Sequence, residues 1–275
     1  MAVSCPEARK WHAAMKEEMD ALQDNNTWIM TSLPPGKRLI GCKWVYKLKT
    51  DSEGNIQRYK ARLVAKGFTQ RETFAPVVRY ESIRMLLAIA ASEDLEISKF
   101  DGKTAFLNGD LEEELYMEPP PGLEQQQERG LVCKLQRSLY GLKQAPRCWN
   151  SKFVNFLNQF HFMQIESDKC VFIGNISEEK VYLALYVDDG LVISRSTAAI
   201  NKILQYLKKC FQITIDDANL FVGLDSARNK STHQILIKQT AYIKKIITKF
   251  KMEVAKSSAI PMDNSIYLKR RMITS

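Results

Sequence analysis

Apolar and polar positions change period several times along this chain. Trp11, Ala14, Met15, Met19 and Leu22 recur at helical spacing while Lys16, Glu17, Glu18 and Asp20 fall largely elsewhere, which predicts an amphipathic helix. Leu33-Pro34-Pro35-Gly36 breaks that pattern. From Lys43 to Lys49 apolar and basic residues alternate, Asp51-Ser52-Glu53-Gly54-Asn55 supplies a turn, and Ile56 to Lys66 returns: a long basic hairpin. Ser82 to Ala91 reads as a helix capped by Ser82. Leu95 to Phe100 then alternates like a half-buried strand. Pro119-Pro120-Pro121-Gly122 and the Gln- and Glu-rich run after it form a polar surface loop. Ala145 or Pro146 to Phe160 reads as a helix, with Pro146 suited to its first turn. Near the end, Ile243, Ile246, Ile247 and Phe250 make an apolar stripe on a lysine-rich helix. No internal repeat is visible.

Two acids interrupt the most apolar stretch. Val181-Tyr182-Leu183-Ala184-Leu185 and Leu191-Val192-Ile193 flank Tyr186-Val187-Asp188-Asp189-Gly190. Asp-Gly between such runs predicts a β-hairpin buried on at least one face, with two carboxylates at or beside its tip. Like charges this close repel and burial penalises each again, so one stays protonated or a cation sits there. An exposed Asp-Asp-Gly turn without chemistry is the competing reading of this segment alone. A third acid, Asp101, ends the alternating strand Leu95 to Phe100, and turn chemistry at Asn108-Gly109 follows. An acid at one strand end beside an acid pair at a neighbouring hairpin offers oxygen ligands to two hard divalent cations. Two such ions about 4 Å apart stabilise the attacking and leaving oxygens of an in-line phosphoryl displacement.

Charge adds to this picture. The 275 residues, long enough for a sizeable core or for two or three packed subdomains, carry a net charge of +9. The segment Lys37 to Lys66 holds +7, Arg228 to Ser275 holds +9, and the remainder holds −7. Two basic ends therefore flank an acidic middle, a distribution suited to phosphate backbones on cationic walls and metal ions on carboxylates. For any single lysine, ordinary solvation is the plainer account. Cys5, Cys42, Cys133, Cys148, Cys170 and Cys210 show no zinc-ribbon spacing, and His12, His161 and His233 stand alone, so zinc is not expected. The cysteines read as reduced residues of an intracellular protein. The apolar run Met85 to Ala91 is far too short to span a bilayer, and the N-terminus lacks a signal-peptide pattern, so no membrane partner is expected.

Six blocks, in order, make the chain recognisable. They are Trp44-Val45-Tyr46-Lys47, Arg58 to Phe68 (RYKARLVAKGF), Thr73 to Arg79 (TFAPVVR), Lys103 to Gly109 (KTAFLNG), Ser138 to Arg147 (SLYGLKQAPR) and Tyr186-Val187-Asp188-Asp189. In this order they resemble the reverse transcriptase domain of copia-type LTR retrotransposons, over most of the chain.

The resemblance implies an α+β fold with the right-hand polymerase architecture: fingers, a palm with an antiparallel sheet and helices, and a truncated thumb. Residues 1–75 and 119–145 would be fingers, 76–118 and 146–225 palm, and 226–275 a partial thumb. The implied activity is RNA-directed DNA synthesis, with a primer 3′-hydroxyl attacking the α-phosphate of a deoxynucleoside triphosphate. Asp101, Asp188 and Asp189 would be the catalytic, metal-binding acids, holding two Mg²⁺ (or Mn²⁺) ions. Arg58, Lys60, Arg62 and Lys66, on one face by strand alternation, would hold the triphosphate, with Arg58 or Arg62 preferred for its bidentate fork. Phe106 would lie beneath the incoming sugar and exclude a 2′-hydroxyl; simple core packing is its plainer reading. Gly141 and Lys143, with Pro146, would shape the template–nucleotide pocket, and Phe221 and Gly223 the hairpin at the primer end. The implied partners are an RNA or DNA template with its primer and dNTPs; oligomeric state stays open. The implied location is intracellular, cytoplasmic in a virus-like particle or nuclear.

Two departures mark this copy. Only Arg71 and Glu72 stand between Gln70 and Thr73, where the family carries several more residues, a shortening that could strain fingers closure. Gly102 stands where the family commonly has Val, at a cost of about 0.5–1 kcal/mol for glycine in a strand. A decayed or recruited copy that folds and binds nucleic acid without polymerising is therefore the alternative. A basic RNA-binding or scaffold protein with coincidental acids is a third reading, and the ordered blocks argue against it.

Overall fold

The computed structural model describes residues 5–50, 55–70, 73–122, 130–216 and 218–259. The chain forms two compact units, residues 1–238 and 239–275.

The first helix, α1 (Ala8–Asp24), buries Trp11, Ala14, Glu18 and Leu22 at helical spacing. Strands β1 (Trp28–Ser32) and β2 (Leu39–Ile40) precede the predicted basic hairpin of β3 (Cys42–Thr50) and β4 (Ile56–Ala65). In β4 the odd positions Ala61, Leu63 and Ala65 are buried while Lys60, Arg62 and Val64 are half-exposed, the period of two that one-sided packing imposes. Trp11 of α1 packs edge-on against Tyr46 and Tyr59 of the hairpin, with centroids 5.3 and 4.7 Å away. Glu18 Oε1 accepts the Leu63 N–H at 3.2 Å, so α1 covers the edge of β4.

Helix α2 (Tyr80–Ser92) follows, then β5 (Glu96–Gly102), β6 (Tyr116–Met117), β7 (Leu131–Leu135) and α3 (Ala145–Asn158). Next come β8 (Met163–Gln164), β9 (Val171–Ile176), β10 (Glu179–Tyr186), β11 (Asp189–Ser194), α4 (Thr197–Cys210) and β12 (Ile213–Asp216). The first unit closes with β13 (Leu220–Phe221), β14 (Leu224–Asn229) and β15 (Gln234–Lys238).

Ser82 does not cap α2. The helix begins two residues earlier, after an extended Arg79, and Asp168 ties that start to a distant turn. Asp168 Oδ2 accepts the Arg79 N–H at 2.9 Å and the Ser82 hydroxyl at 2.6 Å, and its Oδ1 accepts the Cys170 N–H at 3.0 Å. Helix α3 starts with Pro146 in its first turn, as its fixed φ favours. Helix α4 has a Ser196 cap whose Oγ accepts the Ala199 N–H, and Lys208 and Lys209 in its last turn.

The central sheet has the order β12-β5-β11-β10-β9-β8 and is antiparallel throughout. Both faces are covered. Phe100, Leu183 and Val192 pack with Phe153, Leu157 and Ile203, which come from α3 and α4. Ala184, Leu191 and Ile193 pack on the other side with Ile83, Leu87 and Ala90 of α2 and with Phe221 and Leu224. A four-stranded sheet, β1-β7-β6-β2, joins the basic hairpin through a third cluster that includes Leu22, Leu63, Met117, Cys133 and Leu139. The β13-β14-β15 sheet is tied to β5 by Arg228, which pairs with Asp94, and by Lys230, which pairs with Glu96.

In the second unit, helix α5 (Thr240–Lys249) carries the predicted stripe: Ile243, Ile246 and Ile247 lie on it, and Phe250 caps it. All four are exposed.

Candidate active site

The acid-bearing hairpin forms where the apolar runs predict it, but its turn lies two residues before the Asp189-Gly190 signal. Tyr186 pairs with Asp189, leaving Val187 and Asp188 as the connecting residues. Val187 has φ 57°, a left-handed conformation that is an outlier for a β-branched side chain. Gly190 is thus the second residue of β11, not a turn glycine. A Cβ at that position would fall inside the ring of Phe100, its cross-strand partner.

That register brings the acids together. Asp189 stands directly opposite Asp101, and alternation puts Lys99, Asp101 and Asp189 on one face of the central sheet. The Gly102 N–H donates to the Asp188 carbonyl at 2.7 Å, so the end of β5 is bonded to the turn. A Cβ on Gly102 would stand 3.3 Å from that same carbonyl oxygen, a close approach that glycine leaves open. From the α3 side, Trp149 Nε1 donates to the Val187 carbonyl at 2.6 Å and holds the turn from beneath.

Burial pushes the carboxyls of Asp101, Asp188 and Asp189 above the usual carboxylate range, and neighbouring acids add to it: Asp189 acts on Asp101, Asp101 on Asp188, and Asp188 on Asp189. Lys99 Nζ lies 3.4 Å from Asp189 Oδ1 and partly offsets this. Among the described residues, no three or more His, Cys, Asp or Glu side chains converge closely enough to hold a metal ion. The donor chemistry of Asp101, Asp188 and Asp189, three partly desolvated carboxylates that repel one another, nonetheless suits a hard divalent cation.

The basic hairpin contributes its open face. Lys47 stands opposite Lys60 and Lys49 opposite Arg58, like-charge pairs that cost stability unless an anion lies over them. Burial, then Arg62, Lys49 and Arg58, push the Lys60 ammonium below its usual range. Lys60 and Arg62 both act electrostatically on Asp188. Arg58 is ion-paired with Glu17 of α1. Lys66 lies just past the end of β4, its N–H donates to Gly41 O at 2.8 Å, and its side chain runs beside Gly41.

Residues 105–108 form a short 3₁₀ turn after a left-handed Thr104 (φ 53°), and this turn presents Phe106. The Phe106 ring lies 4.9 Å from that of Tyr140 and borders a cavity of about 340 Å³ together with Lys143, Pro146, Trp149, Val187 and Phe74. Gly141 has φ 90°, and a side chain there would collide with the Ala65 carbonyl, so the glycine lets this loop lie against β4. Lys143 is held at both ends of its backbone: its N–H donates to Gln70 Oε1 at 2.9 Å and its carbonyl accepts the Thr73 hydroxyl at 2.6 Å. These two clips flank the shortened connector, whose Arg71 and Glu72 lie outside the described residues.

With this geometry in view, the comparisons are decisive. Residues 25–264 match the reverse transcriptase (RNA-dependent DNA polymerase) family. The chain belongs to that family. It is 42% identical, over 98% of its length, to the retrovirus-related Pol polyprotein from transposon TNT 1-94 of Nicotiana tabacum, covering 21% of that polyprotein. Against the Pol polyprotein from transposon RE1 of Arabidopsis thaliana the identity is 34%, over 95% of this chain and 18% of the relative. The Ty1-DR5 Gag-Pol polyprotein of Saccharomyces cerevisiae is 28% identical over 94% of this chain and 14% of the relative. The reverse transcriptase domain thus spans at most about a fifth of the length of these curated relatives.

Within the reverse transcriptase domain, the hairpin expected at the primer end corrects one expectation. Phe221 is only 3% exposed and packs in the α2-side core, so its ring supports the turn from within and presents nothing outward. Val222 and Gly223, both left-handed (φ 49° and 76°), form the turn, and the space around Gly223 is open. Sequence reasoning also missed Lys99 and Tyr140. Lys99 was within reach, since a residue two before Asp101 in a strand shares its face. No helix among the described residues is long and apolar enough to cross a membrane.

Proposed function

We propose that this domain is an RNA-directed DNA polymerase that extends a primer by adding deoxynucleotides, with the right-hand arrangement and the boundaries set out above for fingers, palm and thumb. The single observation that carries this reading is the register of β5 and β11. It sets Asp101 opposite Asp189 and bonds the strand end to the turn that holds Asp188.

Asp101, Asp188 and Asp189 would hold two Mg²⁺ or Mn²⁺ ions. When bound, these supply positive charge for the attacking and leaving oxygens of an in-line displacement. Lys60 and Arg62 face the acids from the hairpin and take the triphosphate, Arg62 with its planar fork; Arg58 and Lys66 play lesser parts, one paired with Glu17 and the other past the end of β4. Phe106 limits space at the 2′ position of the sugar. Gly141 and Lys143 fix the wall beside it, and the turn at Gly223 leaves room for the primer backbone. Catalysis on this scheme is positioning and charge neutralisation, with little covalent work for the protein.

A second reading, a copy that binds nucleic acid without polymerising, draws support from the Lys99–Asp189 ion pair and from the clipped, shortened connector. Homopolymer template–primer extension with Mg²⁺ or Mn²⁺, run beside Asp188→Asn, separates the two. Extension by the wild-type chain that disappears in Asp188→Asn, with primer–template binding intact, supports the polymerase. Binding without extension by the wild-type chain supports the second reading.

A further inference from the structure

We propose that Tyr140 is a positioning residue that holds both Arg62 and Phe106 through its ring and thereby sets how the nucleotide is selected, an inference that rests on the polymerase reading above. Tyr140 lies between the two side chains given separate tasks there. The Arg62 guanidinium sits over one region of its ring, 4.6 Å from the centroid, and Phe106 packs against it at 4.9 Å with the rings tilted by 59°. Three residues from three distant stretches of sequence meet at this one ring.

The backbone around Tyr140 is fixed independently of its side chain. Its carbonyl accepts the Ala65 N–H at 2.7 Å, and left-handed Gly141 fits the next peptide against the end of β4. Truncating the ring therefore removes both contacts without removing the anchor. Burial, opposed by Arg62, pushes the Tyr140 hydroxyl up to about 12, so it stays protonated across the physiological range.

A guanidinium over a ring keeps most of its five N–H donors for other acceptors, even with one shared with the Tyr140 hydroxyl. Arg62 held this way keeps donors for phosphate oxygens while losing rotamer freedom before the nucleotide arrives, and an ordered cation costs less entropy on binding. The same ring sets the tilt of Phe106, on which discrimination at the sugar depends. One side chain thus couples phosphate capture to sugar choice.

The test uses the full chain and two variants. Tyr140→Leu removes the ring, and Tyr140→Phe keeps it while deleting the hydroxyl. First, Arg62 is modified with 4-hydroxyphenylglyoxal and the rate is read by peptide mass spectrometry. We expect modification roughly tenfold faster in Tyr140→Leu, the size of losing a cation–π contact and an aromatic pair together, and a much smaller rise in Tyr140→Phe, which keeps the ring and loses only the hydroxyl beside Arg62. Second, primer extension compares dNTP with rNTP. Tyr140→Leu should raise the KM for dNTP about tenfold with kcat within about twofold, and lower dNTP-over-rNTP discrimination, while Tyr140→Phe restores both.

Equal Arg62 reactivity in all three proteins overturns the proposal. So does an unchanged discrimination ratio, or a fall in kcat that tracks a lowered melting temperature. A wild-type chain that extends no primer defeats the polymerase reading, and the Arg62 rates then decide by themselves whether Tyr140 holds that side chain.

Discussion

The ring of Phe100 occupies the volume that a side chain at position 190 would need. These two residues are direct partners across β5 and β11, one step from the pair Asp101 and Asp189. The glycine of the Asp-Asp-Gly run is therefore a seat for an aromatic ring, and the seat fixes the distance between the strands that carry the acids. Gly190→Ala overpacks a site enclosed on both faces and should destabilise the chain by about 1–3 kcal/mol, read as a lower urea midpoint. Adding Phe100→Leu should recover part of the loss, because the two changes share one volume. A Gly190→Ala protein as stable as wild type would contradict this account.

The raised carboxyls make a prediction about stability and pH. A carboxyl whose folded-state pKa lies above its unfolded value holds its proton more tightly when folded. Its charge then penalises folding at pH above the folded pKa, and the penalty fades as pH falls through that value. Burial puts Asp188 in this class. Asp188→Asn should melt at a higher temperature than wild type at neutral pH, and the gap should narrow on acidification. Extension should fall by about 10²-fold or more, the usual scale for losing a group that stabilises transition-state charge. Lower stability of Asp188→Asn at neutral pH would show that its hydrogen bonding outweighs its charge.

Lys99 holds the acids down. It acts on both Asp101 and Asp189 in the direction that favours their ionised forms. Lys99→Met should raise both carboxyls further and move the acid limb of the extension pH profile to higher pH. An acid limb that stays in place would uncouple Lys99 from the site.

Asp168 is 6% exposed and receives three hydrogen bonds that join the start of α2 to the turn before β9. Asp168→Ala strands those donors and should cost roughly 2–3 kcal/mol in urea denaturation. Asp168→Asn, which keeps an acceptor oxygen, should lose less. Equal losses in the two variants would locate the effect in the charge.

Much of this architecture was legible because it rests on period. The hairpins of β3–β4 and β10–β11 and the helices α1, α3 and α5 follow from apolar spacing. The acid pair drew attention because it breaks an apolar run. What local pattern could not supply was tertiary. The turn shifted to Val187-Asp188 because Phe100 claims Gly190 from across the sheet. Ser82 sits inside α2, with Arg79 at the N-cap, and its hydroxyl donates to a carboxylate 86 residues further along. Phe221 had the aromatic character of a contact residue and proved to be core. Helix α4 carries a local signal of its own, the Ser196 cap, and its apolar face packs in the core.

Glu18 carries a consequence beyond α1. By taking the Leu63 amide it closes the open rail of β4, along which another molecule could otherwise zip its own backbone. Copies of this chain that meet at the hairpin then face each other largely through lysine and arginine, with exposed Val45 among them. They will repel unless a polyanion lies between them, so self-association at this surface should appear with nucleic acid present and vanish with nuclease.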